Sequence, residues 1–197
     1  MDTASRTEFT ILIVCSGNIC RSPMAERLLR LALGAASARV RIGSAGTVAD
    51  SGRGMTAEAA AVLAGYGATP DGHSSRPLSR ELVDEAGLIL SATRQHRSAV
   101  VSLSPSALRR AFTMRQFARL LESLTPDDVR GMTDLSELVA AAADQRGHLL
   151  PLNRPDDDDI PDPYLRDRSA YDEAGRLIAH DVGIIAEKFL QIAWIAE

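Results

Sequence analysis

The sequence predicts an α/β fold built on a parallel sheet, and three observations carry that prediction. Short apolar, β-branched runs alternate with helical stretches from the start of the chain to about residue 114. The first of these runs, Phe9-Thr10-Ile11-Leu12-Ile13-Val14, shows almost no polar/apolar alternation, as expected of a strand covered on both faces. Glycines and prolines punctuate the junctions and leave the interiors of the elements largely clear.

The elements follow in order. Residues 8–14 are the first strand, and a turn leads into a helix over 22–34. Ser22 suits its N-cap, Pro23 its first position and Gly34 its stop, with Leu28, Leu29, Ala32 and Leu33 as the buried stripe. Residues 40–47 form a second strand running into a glycine-bearing loop. An alanine-rich helix over 56–66 is ended by Gly65 and Gly67, and a loop over 68–80 is broken by Pro70, Gly72 and Pro77. A short helix (79–85), a third strand (87–92), a helix (94–103) and a weak fourth strand (111–114) complete the alternation. Helical pieces then cover 115–123, 126–130 and 134–145. The stretch 151–163 is rich in proline and aspartate, and its Asp156–Asp159 run is expected to be a solvated loop, since no supporting metal ligands stand at a recognisable spacing. In the final helix, 168–196, Ala174, Ile178, Val182, Ile185, Phe189, Ile192 and Ala196 step by three and four along one face.

Composition narrows the class of function. Apolar residues make up 45% and charged residues 24% of 197, ordinary for a soluble domain with a sizeable core. The net charge of −4 supplies no basic field for nucleic acid or an anionic membrane. No apolar run approaches the roughly 20 residues of a membrane span, and the N-terminus lacks a signal-peptide pattern. There are only two cysteines, Cys15 and Cys20, which excludes a disulfide scaffold. The expectation is a cytoplasmic protein without a cofactor or metal. His96, His148 and His180 show no ligand spacing and are expected on the surface or in helix packing.

Both cysteines fall within Cys15-Ser16-Gly17-Asn18-Ile19-Cys20-Arg21, between the first strand and the first helix. A tight strand-to-helix turn points backbone N–H groups inward, and the helix dipole adds its positive end. Gly17 permits unusual backbone angles, and Asn18 tolerates the left-handed region. Arg21 offers a planar fork that grips two anionic oxygens together. The same field favours the thiolate of Cys15, and a hydrogen bond from Ser22 would favour it further. The residues describe a cradle for a tetrahedral oxyanion with a nucleophile at its floor.

The stretch from Val14 through Glu26 resembles the phosphate-binding signature of the low-molecular-weight protein tyrosine phosphatases. The resemblance continues at Gly43-Ser44-Ala45-Gly46-Thr47 and Gly72-His73-Ser74-Ser75-Arg76-Pro77-Leu78, and returns at Asp162-Pro163-Tyr164. It implies a three-layer fold, a four-stranded parallel sheet flanked by helices on both faces, in a single phosphatase domain over 1–197. It also implies the chemistry. Cys15 attacks phosphorus and forms a cysteinyl-phosphate, Arg21 and the loop residues Ser16, Gly17, Asn18, Ile19, Cys20 and Ser22 hold the phosphoryl oxygens, and Asp162 is the general acid. Asn18, Ser22, Ser44 and His73 match the network that fixes the loop, and Tyr164 matches a wall of the substrate cleft. In the family a cysteine placed like Cys20 can form a reversible disulfide with the nucleophile. The implied partner is a phosphotyrosine-bearing protein, a tyrosine kinase among the candidates by family analogy.

Three features depart from the family pattern. Val48-Ala49-Asp50-Ser51-Gly52 lacks the aromatic many relatives place there, Leu165-Arg166-Asp167 replaces an aromatic or glycine after Tyr164, and 122–158 is a longer helical and loop insertion, open to being a lid or a dimer surface and inert by default. Two rival readings stand beside the phosphatase. One is an arsenate reductase coupled to an external thiol, since no cysteine follows Cys20. The other is a phosphoprotein-binding pseudo-phosphatase, which would be expected to lose Cys15, Arg21 or Asp162, whereas all three are present.

Overall fold

A computed structural model describes residues 9–150 and 152–192. Four strands, β1 (Phe9–Cys15), β2 (Val40–Gly46), β3 (Leu88–Ser91) and β4 (Ala111–Thr113), pair in parallel in the order β2-β1-β3-β4. Successive side chains of a strand face opposite sides. Ile11, Ile13, Leu88, Leu90 and Phe112 accordingly enter one apolar cluster, while Leu12, Val14, Ile89 and Ala111 enter another. This explains the unbroken apolar run of the first strand.

The larger cluster lies under α1 (Arg21–Leu33), α2 (Ala57–Gly65), α5 (Met114–Ser123) and α8 (Arg168–Leu190); the smaller lies under α3 (Arg80–Glu85) and α4 (Arg94–Leu103). Along α8 the expected stripe is buried from Ala174 to Ile192. The helix stops at Leu190, and Ala196 lies outside the described residues. In α1, Leu28, Leu29 and Leu33 are buried as expected, Ala32 is exposed, and Ala25 continues the buried face toward the turn.

The 122–158 segment is no inert appendage. It holds α6 (Pro126–Val129) and α7 (Leu135–Asp144), whose Leu135, Leu138 and Ala142 are fully buried in the larger cluster. Arg146 then closes the β4 edge: its guanidinium lies 3.9 Å above the Phe112 ring and donates to Ala111 O at 2.7 Å. An edge carbonyl covered in this way is withheld from other chains.

Chain direction puts the ligand crevice where strand order reverses. From β1 the chain moves to β2 on one side and then to β3 on the other, so the crevice opens at the carboxyl ends of β1 and β3. Cys15 ends β1, and Ala92-Thr93 follows β3.

Candidate active site

Residues 15–21 form a loop whose outer carbonyls are nearly all taken. Cys15 O accepts from Thr47 N at 2.9 Å, Ser16 O from Val48 N at 3.1 Å, Ile19 O from Thr56 N at 3.0 Å and Cys20 O from Met24 N at 3.1 Å. His73 Nε2 meets Asn18 O at 2.7 Å. A loop whose carbonyls are held outward leaves its N–H groups to the inside. Gly46 lets β2 approach this closely, since a Cβ there would collide with Ser16 O and lie 2.9 Å from Asn18 N.

Asn18 is the pivot. It is fully buried with φ 53°, and it ties three segments together. Its Nδ2 donates to Ser22 Oγ and Ser44 Oγ, both at 2.9 Å, and its Oδ1 accepts from Arg76 N at 3.0 Å. Ser44 Oγ in turn donates to Glu26 Oε2 at 2.6 Å. Ser22 Oγ, having accepted from Asn18, has its hydrogen free for Cys15 Sγ at 3.0 Å. Ser22 is therefore not the helix N-cap. The helix begins at Arg21 and Cys20 occupies the cap position without a side-chain bond, because the Ser22 hydroxyl is committed to the loop.

Arg21 is 4% exposed although charged. Its Nη1 donates to Ile160 O at 3.1 Å, and Nη2 donates to Ser16 Oγ at 3.1 Å and pairs with Asp162 Oδ2 at 2.7 Å. Its Nε has no partner among the described residues. A buried, unpaired N–H is costly, so the Nε end of the Nε–Nη2 edge is able to take a further acceptor. Asp162 is half exposed, and its Oδ1 accepts from Tyr164 N at 3.2 Å. The following turn places Leu165 at φ 60°, normally a glycine position, with Arg166 N donating to Pro163 O at 3.0 Å. That conformation costs about 1 kcal/mol.

One cleft is lined by Cys15, Ser16, Gly17, Ile19, Cys20 and Arg21 at its floor and by Val48, Arg53, Asp162 and Tyr164 at its mouth. Ser44 and His73 stand behind the loop, Ser44 Oγ on Asn18 Nδ2 and His73 Nε2 on Asn18 O. Val48 is 77% exposed and takes the wall position where an aromatic is missing; Arg53 beside it was not anticipated. Cys20 is a free thiol against Thr56 Oγ1 at 3.5 Å, and burial raises its pKa above the ordinary thiol value.

The Asp156–Asp159 run is not a solvated loop. Asp158 is buried and receives Arg119 Nη2 on both oxygens at 3.0 and 3.2 Å, while Arg94 holds Asp156 at 2.6 Å and donates its N–H to Asp159 at 2.8 Å. Ile160 N donates to Ala92 O at 2.8 Å. The acidic run staples the segment carrying Asp162 to the end of β3. Nor is His96 a surface or packing residue like the exposed His148 and His180. It is 6% exposed and lies 2.9 Å from Ser16 Oγ. The position of Thr93 and His96 just after β3, across the crevice from Cys15, is the signal that could have found it. Among the described residues no three His, Cys, Asp or Glu side chains are grouped to hold a metal, and no helix is long and apolar enough to cross a membrane.

Comparison with known proteins adds to the geometry. Residues 10–135 match the family model described as low molecular weight phosphotyrosine protein phosphatase. The chain is 35% identical over 130 residues to the low molecular weight protein-tyrosine-phosphatase Etp of Escherichia coli strain K12, covering 66% of this chain and 84% of that protein. It is 37% identical over 142 residues to a protein-arginine-phosphatase of Geobacillus stearothermophilus, covering 72% and 91%. A solved structure of Vibrio vulnificus Wzb in complex with benzylphosphonate superposes with a TM-score of 0.66 at 26% identity, over 91% of this chain and 98% of that one.

Proposed function

Because the chain belongs to the low molecular weight phosphotyrosine protein phosphatase family and is a phosphatase of that kind, we propose that it hydrolyses phosphotyrosine in proteins through a phosphorylated Cys15. Arg21 serves as the anion receptor and Asp162 as the proton donor and then acceptor. The observation that carries the reading is the convergence on one guanidinium. Arg21, whose Nε has no partner among the described residues, lines the same cleft as the Cys15 thiol, and the Asp162 carboxylate is docked on Nη2.

Asp162 Oδ2, on Arg21 Nη2, stands in for one phosphoryl oxygen. An arriving phosphate dianion takes over the Arg21 fork, with the inward loop amides on its remaining oxygens, and displaces the carboxylate toward the leaving group. A carboxyl beside a dianion holds a proton more readily than one beside a guanidinium. The Cys15 thiolate then attacks phosphorus. The P–S bond forms, the bond from phosphorus to the phenolic oxygen breaks, and the departing oxygen takes the Asp162 proton. In the second step Asp162 takes a proton from water, the water oxygen attacks phosphorus, and the P–S bond breaks to restore the thiolate. Positioning and charge stabilisation supply the catalysis throughout.

The walls of the cleft favour an aryl ring. Ile19, Val48 and Tyr164 present apolar surface against which a ring is buried favourably. Phosphoarginine remains the second reading, favoured by the similarity to a protein-arginine-phosphatase. The experiment is a side-by-side assay of one peptide carrying either modification. A kcat/KM at least tenfold higher for phosphotyrosine supports the first reading and the reverse order the second. Full activity of a Cys15→Ser variant on either peptide would overturn the mechanism.

A further inference from the structure

We propose that His96 is a positioning residue that holds Ser16, and through it the Arg21 guanidinium, in the orientation that receives the phosphoryl group; the inference rests on the functional reading above. A continuous chain of contacts carries it. Thr93 Oγ1 lies 2.8 Å from His96 Nδ1, His96 Nε2 lies 2.9 Å from Ser16 Oγ, and Arg21 Nη2 donates to that same Ser16 Oγ at 3.1 Å. All four residues surround the crevice between β1 and β3, and His96 is nearly as buried as Arg21.

The direction of the protons is assigned as part of the proposal, starting from Thr93. Its hydroxyl caps α4 by accepting from His96 N at 3.3 Å. The hydroxyl hydrogen goes to His96 Nδ1, which makes Nδ1 an acceptor and leaves the ring proton on Nε2. Nε2–H then donates to Ser16 Oγ, which also accepts from Arg21. With both lone pairs occupied, the Ser16 hydroxyl hydrogen is free, and Ser16 lines the cleft beside Cys15. His96 thus does two things. It anchors the rear hydrogen of Arg21 Nη2, so that the Nε–Nη2 edge faces the anion. It also turns the Ser16 O–H outward as a further donor to a phosphoryl oxygen. In the opposite tautomer Ser16 would spend its hydrogen on the ring and present a lone pair to an incoming oxyanion. Burial and the neighbouring Arg21 cation favour the neutral ring, with its pKa lowered to about 4.

The test compares His96→Leu, His96→Gln, His96→Asn, Ser16→Ala and the His96→Leu/Ser16→Ala pair. The readouts are the dissociation constant for inorganic phosphate and kcat/KM on an aryl phosphate, each with a melting temperature. A glutamine amide reaches the position of Nε2 with an N–H, whereas an asparagine amide reaches only that of Nδ1. The expected result is a loss of roughly tenfold in both readouts for His96→Leu and His96→Asn, from weakened hydrogen bonding to charged groups. Recovery to within about threefold is expected for His96→Gln. The double variant should be no worse than Ser16→Ala alone, because the two residues act in series. Equal losses in the Gln and Leu variants, additive losses in the pair, or wild-type phosphate affinity in His96→Leu would each overturn the proposal. If His96→Leu is too unstable to purify, the Ser16→Ala and His96→Gln values decide it alone: Ser16→Ala must lose phosphate affinity and His96→Gln must keep it. Should phosphate binding follow this pattern while even the wild type fails to hydrolyse the aryl phosphate, the functional reading fails and the positioning role stands.

Discussion

Asn18→Asp is nearly isosteric and keeps the side chain that tolerates φ 53°, yet it reverses the flow of protons around the nucleophile. In the native loop Asn18 Nδ2 donates to Ser22 Oγ, which leaves the Ser22 hydrogen for Cys15 Sγ. A carboxylate at position 18 can only accept, so Ser22 turns its hydrogen away from the sulfur. In the proposed mechanism the lost bond is one to the attacking thiolate, about 1.5–3 kcal/mol for a bond to a charged group, and kcat/KM on an aryl phosphate falls by roughly tenfold to a hundredfold. Ser44 meanwhile faces two carboxylates, Glu26 and the new one, with one hydrogen to give. In a fully buried position this costs about 2 kcal/mol of stability, or a melting temperature lower by roughly 4–8 °C. Asn18→Ala supplies the contrast. It loses the donors and strains the backbone, but leaves the Ser22 hydrogen on the sulfur. The alkylation rate of Cys15 by iodoacetamide, measured across pH 5–8 with kcat/KM, should be depressed more in the aspartate than in the alanine variant. If the two variants are alike in alkylation, the proton order assigned to Asn18 and Ser22 is wrong.

Other consequences follow from groups away from the nucleophile. Replacing Arg119 by Met leaves the buried Asp158 without its partner, which should cost about 1–3 kcal/mol and loosen the segment carrying Asp162; thermal melts should show the loss, and kcat should drop more than phosphate affinity. Asp181 is 4% exposed with an unpaired Oδ2, and burial raises its pKa above the ordinary carboxylate value. A raised folded-state pKa means stability that is lost as pH rises through it, so Asp181→Asn should melt higher than wild type at neutral pH, by a few degrees, with the gain shrinking in acid. A lower melting temperature at pH 7 would contradict this. His96 has the opposite sign. Its folded pKa is about 4, below the unfolded 6.5, so the unfolded chain binds the extra proton and stability declines as pH falls from about 6.5 toward 4. Arg21 and Asp162 are the charged groups facing it. His96→Gln should flatten the melting profile in that window, by up to about 3 kcal/mol at its acid end, and an unchanged slope would place the titration elsewhere.

What the sequence made legible, and what it hid, divides along a physical line. The loop from Cys15 to Arg21 is contiguous, so residue types and spacing were enough to mark it as a candidate site, and Asp162 was marked by the proline and tyrosine beside it. The strands were legible because a sheet covered on both faces leaves uninterrupted apolar runs. His96 was hidden because its partner lies 80 residues away, and only the strand order brings β3 beside β1. The acidic run 156–159 read as solvated because nothing local reveals that Arg94 and Arg119 wait for it on α4 and α5. Ser22 misled for a related reason: local preference makes it a helix cap, and the tertiary demand of the Cys15 sulfur overrides that preference. The 122–158 segment seemed dispensable, yet its leucines complete the core and Arg146 seals the sheet edge.

The central claim is that the phosphoryl group passes through Cys15. It is tested most directly by acid-quenching the Asp162→Asn variant during turnover of an aryl phosphate with a good leaving group and mapping the protein by mass spectrometry. Such a leaving group does not require the acid, while water attack on the intermediate loses its base. One phosphoryl group should therefore accumulate on Cys15 in near-stoichiometric amount, and none on Cys15→Ser/Asp162→Asn. Steady turnover with Cys15 unmodified, or a phosphoryl group on another residue, would contradict the account.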